Sequence, residues 1–372
     1  MKRVGILTMH RVCNYGSALQ AWATQEILQK MGYQVKLIDY VFPNEYHKQF
    51  QSKIPLRIKI ARMVMNILYH HPMRKKQEEF RLFREKYLHC TKCFETKESL
   101  VNVSGAFDIY LIGSDQVWNP DSFHEDYSFF FDFISKNHTK ISYASSFSKS
   151  KLINCDIRKI AELLNTFKSI SVREKNAQIV VKELIGRDVP LCLDPTLLLD
   201  KESYNHMAED SKVKIKEDYI LVYVLKYAFN PYPYTTCFIE NLSLKTGLKI
   251  VCIDFSAKEY LKLSNCLHLH DAIGPSEFLW LLRHAKLIIT NSFHGTAFAI
   301  NFCVPFFSIV NNEDTGDDRI VSLIQQVGAD SRLVKKDSTI PHCSCDIDWG
   351  KIQSNLINLR EKSLDYLKKS IL

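Results

Sequence analysis

The first 39 residues of the chain alternate between short apolar runs and a helical segment. An apolar run at residues 4–8 is followed by a polar turn, and Leu19, Trp22 and Ile27 then recur at helical spacing up to Met31. Gly32 is suited to end that helix, and a second apolar run follows at residues 35–39. This order predicts a βαβ unit, whose two strands lie parallel in one sheet.

The same order of strand, polar turn and helix recurs along the chain. We predict further strands at 108–112, 140–143, 169–172, 189–193, 219–225, 249–253, 287–290 and 305–309. Helices are predicted at 276–284, from 297 onward and at 349–372. The charged connector at 212–218 predicts a domain boundary within residues 205–218. We therefore expect an N-terminal α/β domain at 1–210, a C-terminal α/β domain at 211–348, and a final helix that packs back on the first domain.

The composition of the chain excludes some classes of protein and leaves several kinds of binding partner open. The chain has 372 residues, of which 46% are hydrophobic, so a disordered chain is excluded. Its net charge of +8 suits an anionic small substrate, a membrane surface or nucleic acid. We expect a cytoplasmic protein with reduced thiols, because the 11 cysteines are scattered and no signal peptide or membrane span is evident.

One segment accounts for the whole charge surplus. Residues 48–86 contain 11 Lys and Arg but 3 Glu, interleaved with apolar residues. We expect a basic helical insertion at about 45–90, and two interpretations of this segment stay open. The segment is either a hairpin packed on the first domain, or an amphipathic helix in peripheral contact with the inner face of an anionic membrane.

Polar loops follow the predicted strands. In open α/β sheets ligands bind beyond the carboxyl ends of the strands, so we expect two domains whose strand ends face one another across a cleft. The loops contain these candidates: Asn14, Tyr15, Gly16 and Ser17; Ser114, Asp115 and Gln116; Arg173; Asp194; Ser292, His294, Gly295 and Thr296; and Arg319.

Each candidate has a chemical reason and a plainer alternative. The turn at 14–17 precedes a helix and suits a phosphate, or it is an ordinary turn capped by Ser17. His294 suits proton transfer or the binding of an anion, or it caps a helix or bonds a neighbouring carbonyl. Gly295 allows the backbone to approach a ligand. Arg173 matches a carboxylate or phosphate, or it pairs with a local acid. Neither a G-x-G-x-x-G nor a P-loop motif occurs, so NAD and nucleotide triphosphate sites have no support.

A metal site is not expected. Cys90 and Cys93 are far in sequence from His342, Cys343 and Cys345, and the last two cysteines are separated by one residue. The sequence also contains no H-E-x-x-H and no G-x-S-x-G motif.

Taken together, the motifs resemble those of the polysaccharide pyruvyl transferase family over residues 3–325. The resemblance lies in 5–8, 14–21, 38–40, 113–119, 143–147, 171–174, 193–196, 290–296 and 304–306. It implies a two-domain fold similar to GT-B glycosyltransferases. It also implies transfer of a pyruvyl group from phosphoenolpyruvate, as donor substrate and without a cofactor, onto two hydroxyls of one sugar.

The resemblance implies roles for individual residues. Arg173 and His294 match functional residues of the family, and Arg319 is a looser match to a third basic contact with the donor. Asp115 or Asp194 would accept a proton from the sugar. The acceptor would be a cell-surface polysaccharide of bacteria, such as a capsule or exopolysaccharide, or its lipid-linked precursor.

Two other functions remain open at this stage, and a third was considered. A GT-B-type glycosyltransferase would use a nucleotide sugar, and fold analogy alone does not exclude it. A non-catalytic glycan- or membrane-binding protein would keep the fold without the activity. Nucleic-acid binding is not expected, because the basic segment lacks a recognition helix or aromatic-interleaved sheet.

Overall fold

The fold begins with β1 (Arg3–Leu7), which leads through a polar turn into α1 (Tyr15–Lys30) and back into the sheet at β2 (Gln34–Leu37). β1 and β2 pair in parallel, as the sequence predicts. The computed structural model describes residues 1–42, 75–123, 126–153, 155–225, 229, 232–253, 263–269, 273–311, 318–338 and 347–372.

The chain divides into two compact units. Unit 1 comprises Met1–Leu198 and Arg360–Leu372, and unit 2 comprises Leu199–Leu359. The division therefore lies upstream of the boundary expected within 205–218. The reason is local packing, since the ring of Tyr204 contacts the rings of Phe298 and Phe302 at 5.2 and 6.1 Å and so joins residues just after 198 to unit 2.

Unit 1 contains a parallel sheet with the strand order β2-β1-β3-β4, where β3 is Ile109–Ile112 and β4 is Thr139–Ser142. Residues predicted as strands at 169–172 and 189–193 form isolated parallel bridges rather than strands, at Ile141–Ser169 and Val172–Leu191. Pro190 explains part of this difference, because its carbonyl accepts a bond from Val172 but it has no N–H to continue the ladder.

The described helices that lie wholly within unit 1 are α1, α2 (described over 75–87), α3 (Pro120–Phe123), α4 (Ile157–Leu164), α5 (Lys175–Ile185) and α6 (Pro195–Leu198). The core is rich in aromatic rings: Trp118 stacks on Phe130 with ring centres 5.6 Å apart, and its indole N–H donates to the carbonyl of Phe129. This packing anchors the segment that follows β3, where several candidate site residues lie.

Unit 2 contains a parallel sheet with the strand order β10-β9-β8-β5-β6-β7. Its strands are β5 (Tyr219–Tyr223), β6 (Lys249–Ile253), β7 (Cys266–Leu269), β8 (Leu287–Thr290), β9 (Phe306–Val310) and β10 (Leu333–Lys335). Its helices are α7 (Asn205–Glu209), α8 (Tyr234–Thr246), α9 (Pro275–His284), α10 (Phe293–Phe302), α11 (Arg319–Val327) and α12 (Trp349–Ile371), and the last part of α12, Arg360 onward, belongs to unit 1.

Both sheets contain a point at which the order of strands reverses. It lies between β1 and β3 in unit 1 and between β5 and β8 in unit 2. In doubly wound sheets the loops beyond the carboxyl ends of the strands at such a point form the usual ligand site. The candidate residues after β1, β3 and β8 lie at these places.

The basic segment falls mostly outside the described residues, which omit 43–74. Its described part is α2, which buries Phe80 and Phe83 against unit 1 and places Arg81 in ion pairs with Glu78 and Glu85. Among the helices that the structure describes, none combines the length and the apolarity needed to cross a membrane.

Candidate functional site

The turn after β1 ends in a capped helix. The side chain of Asn14 accepts a hydrogen bond from the backbone N–H of Ser17 at 3.2 Å, so Asn14 is the N-cap and α1 begins at Tyr15. The alternative in which Ser17 caps the helix is therefore wrong. Tyr15, Gly16 and Ser17 form the first helical turn, which is the positive end of the helix dipole.

Arg173 and Asp194 form a buried ion pair. Nη1 of Arg173 lies 2.8 Å from Oδ2 of Asp194, and neither side chain is more than 1% exposed. The other carboxylate oxygen of Asp194 accepts bonds from the backbone N–H and the hydroxyl of Thr196, at 3.0 and 2.7 Å. The hydroxyl of Ser114 lies 2.8 Å from Asp194 Oδ2 as well.

This arrangement assigns Asp194 a supporting position. Donors surround both of its oxygens, and its side chain has no exposed surface. A carboxylate in such surroundings is a poor acceptor for a substrate proton, so the expectation that Asp194 receives the proton of the sugar is not favoured. Arg173 therefore pairs with an acid of its own unit, as the plainer interpretation has it. That acid is Asp194 rather than the adjacent Glu174.

Asp115 differs from Asp194 in its backbone and in its exposure. Its φ of 86° lies in the left-handed region, which costs a non-glycine residue backbone strain and is often found at functional sites. Oδ1 accepts the N–H of Gln116 at 2.8 Å, and Oδ2 accepts a very short hydrogen bond from the hydroxyl of Ser17. Nη2 of Arg173 lies 3.7 Å from Oδ1, so Asp115, Arg173 and Asp194 form one cluster, which we call the Arg173 cluster.

Glu174 supports the neighbouring loop and was not singled out from the sequence. One of its carboxylate oxygens accepts bonds from the hydroxyl of Ser146 at 2.9 Å and from the backbone N–H groups of Phe147 and Ser148, at 3.1 and 3.3 Å. Glu174 is 1% exposed. The buried carboxylate of Glu174 therefore fixes the serine-containing loop after β4 through these hydrogen bonds.

A second missed group lies beyond β1 and β2. Asp39 accepts bonds from Arg11 at 2.6 and 2.7 Å and contacts His10 Nε2 at 2.9 Å. Burial alone would raise the pKa of Asp39, but the hydrogen bonds from His10 and Arg11 outweigh it and hold this pKa well below its ordinary value. The signal in the sequence was the acid at the end of the predicted strand 35–39.

In unit 2, Asn291 fixes the end of β8 to the end of β5. Its side-chain oxygen accepts the N–H of Leu225 at 2.6 Å, and its amide donates to the carbonyl of the same residue at 2.9 Å. Ser292 then caps α10 by accepting the N–H of Gly295 at 3.3 Å. The helix thus begins at Phe293, earlier than predicted, and His294 and Gly295 lie in its first turn rather than in a loop.

His294 lies at the amino end of α10 and is 7% exposed. Its ring meets the ring of Phe293 edge to face, with centres 5.2 Å apart. The helix dipole favours an anion at this end. An imidazole placed here can donate a hydrogen bond or a proton to an anionic ligand.

Gly295 and Thr296 pack inside the unit. A Cβ at Gly295 would lie 2.5 Å from Thr290 Oγ1, so the glycine permits a close approach between α10 and β8. The expectation that it admits a ligand is not supported, since the space beside it is filled by Thr290. The hydroxyl of Thr296 lies 2.6 Å from that of Ser308 and is buried as well.

Arg319 is the first residue of α11, which follows β9 in the chain. Because β8 and β9 are parallel neighbours, their carboxyl ends lie at the same edge of the sheet. His294 and Arg319 therefore both belong to segments that leave this edge. Arg319 is half-buried, and residues 312–317 before it are outside the described part.

One groove in unit 1 lies away from the candidate residues. A groove of about 710 Å³ lies along β2 and is lined by Arg3, Tyr33, Lys36 and Lys92, among other residues. None of the candidate residues lines it.

Of the cysteines considered as metal ligands, the structure describes Cys90 and Cys93. Burial raises the pKa of Cys90 to about 12, and Cys93 accepts a hydrogen bond from Arg11 at 3.1 Å. His342, Cys343 and Cys345 lie outside the described residues.

Solved structures with a similar fold include UDP-GlcNAc 2-epimerases. The Neisseria meningitidis enzyme, bound to UDP-GlcNAc, has 12% identity and a TM-score of 0.50, with 100% of this chain and 94% of that chain covered. A structure assigned as a UDP-N-acetylglucosamine 2-epimerase of Listeria monocytogenes has 10% identity and a TM-score of 0.54, with 98% and 89% covered. The Methanocaldococcus jannaschii enzyme, in complex with UDP-GlcNAc and UDP, has 11% identity and a TM-score of 0.50, with 98% and 93% covered. At such identities the likeness concerns the fold, which is of the GT-B type.

A search of curated proteins finds no match to this chain. The family model described as polysaccharide pyruvyl transferase, however, matches residues 14–313. The match begins at the N-cap of α1 and includes Asp115, Arg173 and His294, but it ends before Arg319. With more than three quarters of its length matched in this way, the chain belongs to the polysaccharide pyruvyl transferase family.

Proposed function

We propose that this protein transfers a pyruvyl group from phosphoenolpyruvate to two hydroxyls of one sugar in a cell-surface polysaccharide or its lipid-linked precursor. The single observation that supports this most strongly is the family match over residues 14–313. The structure adds chemically suitable groups at the carboxyl ends of both sheets.

The donor is a dense anion, since it carries a phosphate and a carboxylate. The amino end of α10 attracts an anion through its dipole and its first-turn N–H groups. His294 lies in that turn, and Arg319 begins the helix after the neighbouring strand. We assign these groups to the donor.

The first chemical step is protonation of the methylene carbon of the donor. We assign this proton to a ring nitrogen of His294, because imidazole both donates and accepts protons near neutral pH. The methylene becomes a methyl group, and carbon 2 becomes electrophilic. A sugar hydroxyl then forms a bond to carbon 2.

The sugar hydroxyl must lose its proton as it attacks. We assign the acceptor to Asp115 rather than Asp194, because Asp115 keeps 8% of its side chain exposed whereas Asp194 keeps none. The C–O bond to phosphate then breaks, and phosphate leaves with the proton that Asp115 held. The second hydroxyl closes the ketal and returns a proton to His294.

Arg173 is assigned to the negative charge of the donor. Its contact with Asp194 at 2.8 Å fixes the guanidinium, whereas its contact with Asp115 at 3.7 Å is too long for a hydrogen bond. A carboxylate or phosphate oxygen could replace the longer contact while the shorter one persists. The guanidinium would then carry the substrate and Asp194 would keep it in place.

The test is a reaction of phosphoenolpyruvate with a panel of sugar acceptors, in which released phosphate and product mass are both measured. We expect equimolar phosphate and a product heavier by one pyruvate less one water. The sharpest variant is His294→Asn, with His284→Asn as its control in the same unit. A product in His294→Asn at the wild-type rate would contradict the assigned chemistry. Transfer of a sugar with nucleotide release would instead establish a glycosyltransferase.

A further inference from the structure

Two cysteines and a histidine lie together on one face of the sheet in unit 2. β6 and β7 pair so that Ile250 faces Cys266 and Cys252 faces His268. Because side chains alternate along a strand, Cys266 and His268 point to the same side, as do Ile250 and Cys252. Cys252 is buried, and Cys266 and His268 are half-buried.

The ligand atoms are close enough to share one ion. The two sulfur atoms are 3.5 Å apart, and Cys266 Sγ lies 3.9 Å from His268 Nδ1. The three ligand atoms all lie within 4.8 Å of one another. A tetrahedral zinc ion, with Zn–S of about 2.3 Å and Zn–N of about 2.0 Å, places its ligand atoms roughly 3.5–3.8 Å apart.

We propose that Cys252, Cys266 and His268 form a zinc site that joins β7, the edge strand of the sheet, to β6. Two thiolates offset the charge of the ion, and soft sulfur with imidazole is a donor set that zinc prefers over calcium or magnesium. A hydrogen bond already joins the two sulfur atoms, so binding of an ion would displace protons from them rather than force the strands apart.

A disulfide is a poorer fit to the same pair. The cysteines are diagonal neighbours rather than directly paired, since each faces a different residue across the strands. For strands about 4.8 Å apart and a step of two residues, the Cα atoms are separated by roughly 8 Å, whereas a disulfide needs less than about 7 Å. An ion between the sulfur atoms removes the need for that approach.

The described residues contain a second group of three potential ligands, His10, Asp39 and Cys90, which makes a useful contrast. There the guanidinium of Arg11 contacts both oxygens of Asp39, at 2.6 and 2.7 Å, and supplies the positive charge itself. In the cluster of Cys252, Cys266 and His268, the side chains instead contact one another.

The experiment titrates zinc into the reduced, chelator-treated full-length protein in competition with a chromophoric chelator. We expect one tight equivalent per chain, and a loss of affinity of at least about 100-fold in Cys266→Ser and in His268→Gln, since even outer-shell changes weaken sites by roughly 10–100-fold. Cobalt should give a thiolate charge-transfer absorption that is weaker in Cys252→Ser than in the wild type. Cys237→Ser, which removes an exposed cysteine of α8, should bind as the wild type does.

Circular dichroism of each variant separates lost ligands from lost folding, and His268→Gln leaves both sulfur positions intact. Equal affinity of the wild type and a Cys252→Ser, Cys266→Ser double variant would overturn the proposal. A Cys252–Cys266 disulfide as the main state of freshly purified protein, found by peptide mass mapping, would overturn it too. Neither readout depends on pyruvyl transfer.

Discussion

The guanidinium of Arg173 and the carboxylate of Asp194 form a buried ion pair, with Nη1 and Oδ2 2.8 Å apart. Removing one partner of such a pair leaves a buried charge uncompensated. We therefore expect Asp194→Asn to lower the free energy of unfolding by about 3 kcal/mol, measured by urea denaturation. The control is Asp188→Asn, because Asp188 pairs with Lys182 in solvent and its loss should cost less than about 0.5 kcal/mol. Equal stability of the two variants would show that Asp194 does not hold Arg173.

Asp115 should affect the reaction more than the fold. Asp115→Asn keeps an acceptor for the hydroxyl of Ser17 but cannot take a proton from a sugar. We expect kcat to fall by about 10²–10⁴-fold. Ser17→Ala leaves the carboxylate in place and should lose much less of the rate. An Asp115→Asn variant with the wild-type kcat would rule out Asp115 as the base.

Arg173→Lys tests whether the forked shape of the guanidinium matters. Lysine keeps the charge but cannot hold Asp194 and a donor oxygen in one plane. We expect weaker binding of phosphoenolpyruvate by calorimetry, by about tenfold or more, which corresponds to roughly 1.4 kcal/mol. Arg187→Lys serves as the matched control, since Arg187 donates to two backbone carbonyls of the same unit. Unchanged donor binding in Arg173→Lys would contradict the assigned role.

Gly295→Ala should destabilise unit 2 by overpacking. The added Cβ would meet Thr290 Oγ1 at 2.5 Å, and that hydroxyl is held by its bond to the carbonyl of Tyr223. The expected loss is about 1–3 kcal/mol in thermal or chemical unfolding. Because Thr290→Ala removes the nearest atom, the double variant should lose less than the sum of the two single variants. Additive losses would show that the contact with Thr290 is not the cause.

Asp39 should make stability depend on acid pH. Its pKa in the folded chain lies below the ordinary value of 3.8, so its stabilising contribution is present above that value. The contribution is lost as the pH falls through 3.8 toward the folded pKa, by up to about 1.4 kcal/mol per pH unit. The difference in unfolding free energy between the wild type and Asp39→Asn should thus be about 2 kcal/mol at pH 7 and shrink below pH 3.8.

The control for that series is Asp365→Asn, since Asp365 is exposed and pairs with Lys369 one turn along α12. We expect a change of less than about 0.5 kcal/mol throughout. A difference for Asp39→Asn that stays constant from pH 7 to pH 3 would show that the ion pair with Arg11 does not stabilise the fold.

The sequence predicted the sheets well where strands are buried on both faces. β8 occupies the predicted residues 287–290, and all four are buried. β7 was missed because its residues are half-buried and give no continuous apolar run. Strands buried on both faces give the strongest sequence signal, whereas an edge strand gives a weak one.

Two helix starts were placed too late for a common reason. Asn14 and Ser292 are the caps, yet the sequence was interpreted with the turn extending past Gly16 and Gly295. The glycine inside the first turn of each helix suggested that the loop continued, although a capping side chain precedes each of these turns.

Local sequence patterns did not predict which residues of the candidate site contact one another. That Arg173 would pair with Asp194, 21 residues later, depends on how two chain segments align across the sheet. The contact between Ser17 and Asp115 spans 98 residues. Propensity and spacing report on neighbours in sequence, and these pairs are set by packing.

The most direct test of the account measures phosphate release from phosphoenolpyruvate together with the mass of a sugar acceptor, for the wild type, His294→Asn and His284→Asn. The account predicts a ketal product and equimolar phosphate for the wild type and for His284→Asn, and a rate lower by about 10²-fold or more for His294→Asn. Phosphoenolpyruvate that neither binds in calorimetry nor reacts, in a protein that releases nucleotide from a nucleotide sugar, would contradict it.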